Sequence, residues 1–172
     1  MAVTEKCPPW VWGGDPCQLR VEQVASSQTY TVGTPVQKYG GYVQIAENSD
    51  SAADESIYGF VYSTVGTAVA AGTEIYVAVI NVNQLWGIWV SNSDSDSAAA
   101  QTIVGNQYGH YVQASSPYLG YTTLDLNLST NPSMIVEDIV SNLNTDLVAS
   151  TSTSPGAAVV RFKAAALDQL GS

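Results

Sequence analysis

The sequence predicts an all-β fold, a small β-barrel or β-sandwich with an extended N-terminal arm, and three observations predict it. Between about Tyr30 and Leu128 the apolar residues come in short alternating runs rather than at helical spacing. Glycines interrupt those runs where turns are needed, at Gly33, Gly40-Gly41, Gly66 to Gly72 and Gly105. The runs themselves are rich in valine, isoleucine, threonine and tyrosine, side chains that suit a pleated, half-buried surface. A chain of 172 residues can bury one core of its own and is too short for two ordinary domains. The expected division is an arm over residues 1–28 and a β-rich domain over 29–172.

The arm is read from CPPWVWGGDPC, where Pro8, Pro9 and Pro16 beside Gly13 and Gly14 make a combination that neither a helix nor a central strand accepts. Trp10 and Trp12 sit inside it. A solvated arm gains nothing from two indoles, so they dock against a partner or staple the arm to its own core. Strands then follow at Thr29 to Val32, Pro35 to Lys38 and Tyr42 to Ala46, the last with Val43 and Ile45 on one face. After a polar loop over Glu47 to Glu55 come Ile57 to Ser63 and Thr73 to Asn81, where EIYVAVI is a strong strand signal.

The next strand, Gln84 to Val90, carries Trp86 and Trp89 on opposite faces, because side chains alternate and these positions differ by three. Gln101 to Val104 and Gln107 to Gln113 flank a Gly105-Asn106 turn. Thr122 to Leu128 alternates with Leu124, Leu126 and Leu128 on one face and reads as a half-buried strand. Met134 to Val140 fits an amphipathic helix by its four-residue spacing and a strand by its β-branched content; strand is preferred. A Ser/Thr linker over Ala149 to Gly156 precedes a closing strand, Ala157 to Lys163, and a short helical turn in the tail.

Charge excludes several function classes. Fifteen acidic residues against five basic ones give a formal net charge of -10, which repels phosphate backbones and anionic lipid surfaces. Neither nucleic acid nor membrane is an expected partner, and no apolar run approaches the roughly 18 to 20 residues that span a bilayer. The N-terminus lacks the basic start and apolar stretch of a secretory signal, so synthesis in the cytoplasm is expected. The charged fraction, 12%, is about half that of ordinary globular chains, with Ser, Thr, Asn and Gln in its place. Cys7 and Cys17 are the only cysteines. They could close a small loop, but two thiols in a cytoplasmic product stay reduced unless a released particle oxidises them later.

Catalytic chemistry is thin. His110 is the only histidine, and a nucleophilic serine or cysteine needs a positioned base. Lying between glycine and tyrosine in a strand region, His110 reads as a hydrogen-bonded structural residue. The pairs Asp54-Glu55 and Glu137-Asp138 point to opposite faces of any strand, unsuited to glycoside hydrolysis. The loop NSDSDS places oxygens at Asn92, Asp94 and Asp96 like the start of a calcium loop, yet has Ser97 where glycine belongs and Ile103 where the bidentate glutamate belongs. No cofactor motif is present, and the chain is expected to be no enzyme.

The order of segments from Tyr30 to Lys163 resembles the head decoration, or cement, proteins of tailed bacteriophages. The resemblance lies in YTVGTPVQKYGGYVQIA, then SIYGFVYSTVGTAVAAGTEIYVAVI after an acidic loop, QLWGIWVS, QTIVGNQYGHYV and AAVVRFK, about three quarters of the chain. It is made of turns and strand alternation and does not include the arm. It implies a small β module on the outer surface of a bacteriophage virion, often a homotrimer, clamping neighbouring copies of the major capsid protein. On that reading Trp10, Trp12, Cys7 and Cys17 are the candidate contacts with capsid or sister subunits. Other readings are a carbohydrate-binding or host-adhesion module, motivated by ten tyrosines and four tryptophans, a hydrolytic phage protein, and a tail or fibre subunit.

Overall fold

A computed structural model describes residues 8–25, 28–47, 56–63, 66, 68–93, 95–97, 99–114, 119–140 and 156–167. Within them the chain is almost wholly extended. The strands are β1 (Trp10–Gly14), β2 (Gln18–Gln23), β3 (Pro35–Tyr39), β4 (Tyr42–Ile45), β5 (Gly59–Val61) and β6 (Glu74–Val79). They continue with β7 (Gln84–Asn92), β8 (Ser95–Asp96), β9 (Gln107–Val112), β10 (Thr122–Asp125), β11 (Met134–Ile139) and β12 (Ala157–Phe162). The predicted all-β class is therefore what the chain adopts, and the Met134 to Val140 run forms a strand over Met134–Ile139.

Strand β7 organises the first sheet. Its sequence QLWGIWVSN is buried along nearly its whole length, as a strand covered on both faces must be. It pairs antiparallel with β12 on one side and parallel with β10 farther along, and β10–β9–β11–β12 completes the circuit back to β7. A closed five-stranded barrel results, which removes the unpaired edges of an open sheet. Strands β1 and β8 pair with β7 outside that circuit. Inside the barrel lie Trp86, Ile88, Leu124, Met134, Val136 and Phe162. On the outer side of β7, Trp89 packs with Val140, Ala157 and Val159, so the two tryptophans do face opposite ways.

The second sheet runs β2-β6-β5-β3-β4, all antiparallel, and curls until Val24, just past β2, bridges Val43 of β4. Its concave side holds a core of Val24, Tyr30, Val36, Val43, Ile75 and Val77. Its other face meets the barrel: Phe60 and Ala78 join the barrel core, and Phe60 packs edge-to-face on Trp86 at 5.0 Å and on Phe162 at 5.8 Å.

The segment read as an arm runs extended through β1 and β2; β1 pairs with the first half of β7 outside the barrel circuit, and β2 pairs with β6 at the end of the second sheet. The link between them is pinned by Gln84, fully buried, which donates to the Pro16 carbonyl at 3.1 Å while its Oε1 accepts from the Asn81 amide at 3.0 Å.

Three local expectations change. Gln101 to Ile103 forms a 3-10 turn rather than a strand, closed by Ile103 N–H to the Ala100 carbonyl at 3.0 Å. The Thr122 to Leu128 strand stops at Asp125 and all four of its residues are buried. It stops because the Asp125 carboxylate accepts from the Asn127 amide at 2.9 Å, an Asx turn that reverses the chain before Leu126 and Leu128 can alternate. Thr29 to Val32 contributes only an isolated bridge, Tyr30 to Gly66. The acidic loop before Ile57 and the Ser/Thr linker before Gly156 lie almost entirely outside the described residues.

Candidate functional site

The distinctive surface follows from strand register. On the face of the second sheet that meets the barrel, cross-strand neighbours line up in rows: Leu19, Ala78 and Phe60 in one, Val21 and Tyr76 in the next. Continuing the register puts Tyr62 opposite Tyr76, and the Tyr62 amide donates to the Tyr76 carbonyl at 2.8 Å. The barrel covers Ala78 and Phe60 but reaches no farther. The second row is left in solvent, with Val21 53%, Tyr76 52% and Tyr62 61% exposed, and Leu19 at the end of the first row is 51% exposed. A face with the composition of a core thus overhangs its covering layer, which is the usual signature of a contact surface.

A cleft of about 500 Å³ opens where the overhang meets the barrel. Its walls are apolar, among them Pro9, Trp10, Val11, Leu19, Phe60 and Trp86. Among the described residues one buried side-chain polar atom is left over: Trp86 is only 2% exposed and its indole Nε1 has no hydrogen-bond partner there. A buried N–H without an acceptor costs about 1–3 kcal/mol.

The four contact residues expected from sequence separate. Trp10 lies across Gly87 of β7, where a Cβ would come within 2.1 Å of the indole, and meets Trp89 edge-to-face at 6.4 Å. It therefore docks on its own domain while its flank lines the cleft. Trp12 is 38% exposed and is not part of the cleft wall. Cys17 lines the cleft with a free thiol whose pKa is pushed up by burial, which makes it a poor nucleophile near neutral pH. Cys7 lies outside the described residues. Sequence reasoning missed Leu19, Val21, Tyr62 and Tyr76. The signal for the first two was the alternation in QLRVEQ, hidden by treating the whole segment as arm.

The opposite side of β2 is polar and fixed. The Tyr58 hydroxyl donates to Glu22 Oε1 at 2.6 Å and accepts from Arg20 Nη1 at 3.5 Å, and Lys38 bonds Glu22 while its Nζ sits 4.5 Å above the Tyr58 ring. Burial, with the neighbouring Glu22 carboxylate adding to it, pushes the Tyr58 hydroxyl up to about 12. The apolar side of β2 is thereby held outward.

His110 is fully buried. Its Nδ1 lies 3.1 Å from Ser133 Oγ, which also accepts from the His110 amide at 3.1 Å, and its Nε2 lies 2.5 Å from the Glu47 carbonyl. A carbonyl can only accept, so Nε2 carries a proton and Ser133 can donate to Nδ1. A serine and an imidazole in contact are the minimum of a nucleophile and base, but Ser133 is 2% exposed and the pair is sealed from any substrate. Asp125 is equally buried and is satisfied by the amides of Ser93, at 3.0 Å, and Asn127. Among the described residues no cluster of three or more His, Cys, Asp or Glu could hold a metal ion, and no helix is long and apolar enough to cross a membrane.

Protein-family models, curated proteins and solved structures offer no match to this chain. Its own surface has to carry the functional reading.

Proposed function

We propose that the protein is a capsid decoration protein, binding the outer surface of a bacteriophage head and stabilising contacts between major capsid proteins without catalysis. The observation that carries the reading is the overhanging apolar face of Leu19 and Val21 on edge strand β2, Tyr76 on its neighbour β6 and Tyr62 just past β5, displayed at the junction of two β layers. A protein that works by burying area needs such a face, and a stable contact covers roughly 1,200–2,000 Å² in total. Anything that binds only the assembled shell raises the stability of that shell by mass action. The charge of -10 keeps the module clear of packaged DNA. The segment resemblance supplies the phage head as the assembly, and the trimeric state belongs to the same proposal.

Electron microscopy of purified heads with and without the protein tests this. Added density on the outer surface, and heads that survive more heating when it is present, are expected. Virions that lack the protein, or a substrate turned over by the purified chain, would overturn the reading. Trp12→Ala is expected to lower occupancy without unfolding the chain, since that indole is half in solvent already.

A carbohydrate-binding module is the second reading. Tyr39 and Tyr42, 65% and 41% exposed, pair across the Gly40-Gly41 turn and could stack on a sugar. Tyr62 and Tyr76, by contrast, stand beside aliphatic Leu19 and Val21, the chemistry of a protein contact. Retention on a glycan array that is lost in Tyr39→Ala would favour the sugar.

A further inference from the structure

We propose that the cleft between the sheets receives an extended peptide segment of the docking partner, with bulky apolar side chains entering the cleft and basic residues flanking them. This rests on the decoration reading and deepens it by naming what the surface grips.

Four observations converge on a peptide. The cleft, about 500 Å³, lies within the size range of specific ligand sites and admits two or three large side chains. Its apolar wall runs without a break through Leu19 onto the exposed row of Val21, Tyr76 and Tyr62, so an occupant is gripped inside and continues along the face. Trp86 lines the cleft, its buried Nε1–H has no acceptor among the described residues, and a main-chain carbonyl is the acceptor that every peptide brings. Among the described residues β2 pairs with β6 alone over Gln18–Gln23 and meets β4 only past its end, at Val24, so the rest of that edge offers main-chain groups to an extended chain.

Charge sets the flanks. Among the described residues no acidic or basic side chain lines the cleft. Asp15, in the chain between the cleft-lining Val11 and Cys17, is exposed, and so is Glu74 on β6, one row beyond Tyr76 on the same face, while Arg20 turns to the opposite side of β2 and reaches the Tyr58 hydroxyl. With fifteen acidic residues against five basic, the molecule repels an acidic occupant of this cleft, the same face of a second copy included, and attracts a lysine- or arginine-flanked segment. An anionic lipid or fatty acid meets the same repulsion.

The test uses the full chain, ¹⁵N-labelled, titrated with the capped peptide acetyl-Lys-Phe-Leu-Lys-amide. Four tryptophans give four indole N–H signals, and Trp86→Phe identifies the one that matters. That signal is expected to move downfield on titration, as an N–H does on gaining an acceptor. Affinity should fall at least about tenfold when Phe and Leu of the peptide become Ser, when its Lys become Glu, or in Leu19→Asp and Val21→Asp. Both substitutions are at exposed positions and leave the fold intact by thermal melting. An unmoved Trp86 signal, or equal binding by the Ser peptide, overturns the proposal. So does a concentration-dependent dimer that Leu19→Asp abolishes, because a second copy would then be the occupant. Head occupancy is measured in parallel: Leu19→Asp should lose it and Tyr39→Asp should keep it. Wild-type protein that ignores heads yet binds the peptide sinks the decoration reading alone. Wild-type protein that coats heads with Trp86 unmoved sinks the cleft proposal alone.

Discussion

Gly87 is where β1 gains its place on the barrel. With no Cβ at this position the Trp10 ring lies flat across β7 and reaches Trp89; a methyl group would stand 2.1–2.6 Å from three ring atoms. Gly87→Ala is expected to expel the indole at a cost of about 1–3 kcal/mol, read by urea unfolding, together with a red shift of tryptophan emission. In a Trp10→Ala background the same substitution should cost little, and additive costs would show that the two residues do not meet. Ser93 makes a second residue-scale case. It sits at φ +57°, in the left-handed region, held by its amide to Asp125 and by its carbonyl, which accepts from Gln113 at 3.0 Å. Among the described residues only main-chain atoms of Ser93 are bonded, so Ser93→Gly should stabilise the protein by up to about 1 kcal/mol. Asp125→Asn points an amide group at one of two N–H donors and should destabilise by about 1–3 kcal/mol in the same assay.

Strand pairing decides which elements can give way. Among the described residues β1 and β2 each pair with a single strand, apart from the Val24–Val43 bridge just past β2, whereas β7 and β12 are paired within the closed circuit. Hydrogen exchange is expected to be faster in β1 and β2 than in β7 by orders of magnitude, since edge hydrogen bonds open without unfolding the core. Uniform protection across all four strands would contradict this ordering. The Pro- and Gly-rich composition of residues 8–17 is consistent with edge position: Pro9 precedes β1, Gly13 and Gly14 end it at a register shift, and Pro16 occupies the link. What composition hid was the six-residue alternation of β2, because its apolar set faces solvent instead of a core.

At the scale of the molecule, two buried tyrosines make stability depend on alkaline pH. Burial pushes both Tyr30 and Tyr58 up to about 12 from the ordinary value of 10.0. The unfolded chain loses these protons first, so the contribution is complete below pH 10, shrinks as pH rises, and is gone above about 12. Each tyrosine should account for on the order of 2 kcal/mol across that window, and Tyr30→Phe should flatten the pH dependence of urea unfolding there. Alternation, turn glycines and β-branched content made the strands legible from the sequence, along with the opposed faces of Trp86 and Trp89 and the structural burial of His110. These are local properties: a period of two fixes which side of a strand is apolar. It does not fix the partner. The parallel pairing of β10 with β7, the return of β12 that closes the barrel, and the placing of Trp10 over Gly87 all join residues distant in sequence. Tertiary structure alone decided them, because register and sheet curvature determine how far one layer covers another, and the uncovered remainder is the face and cleft on which the proposed function depends.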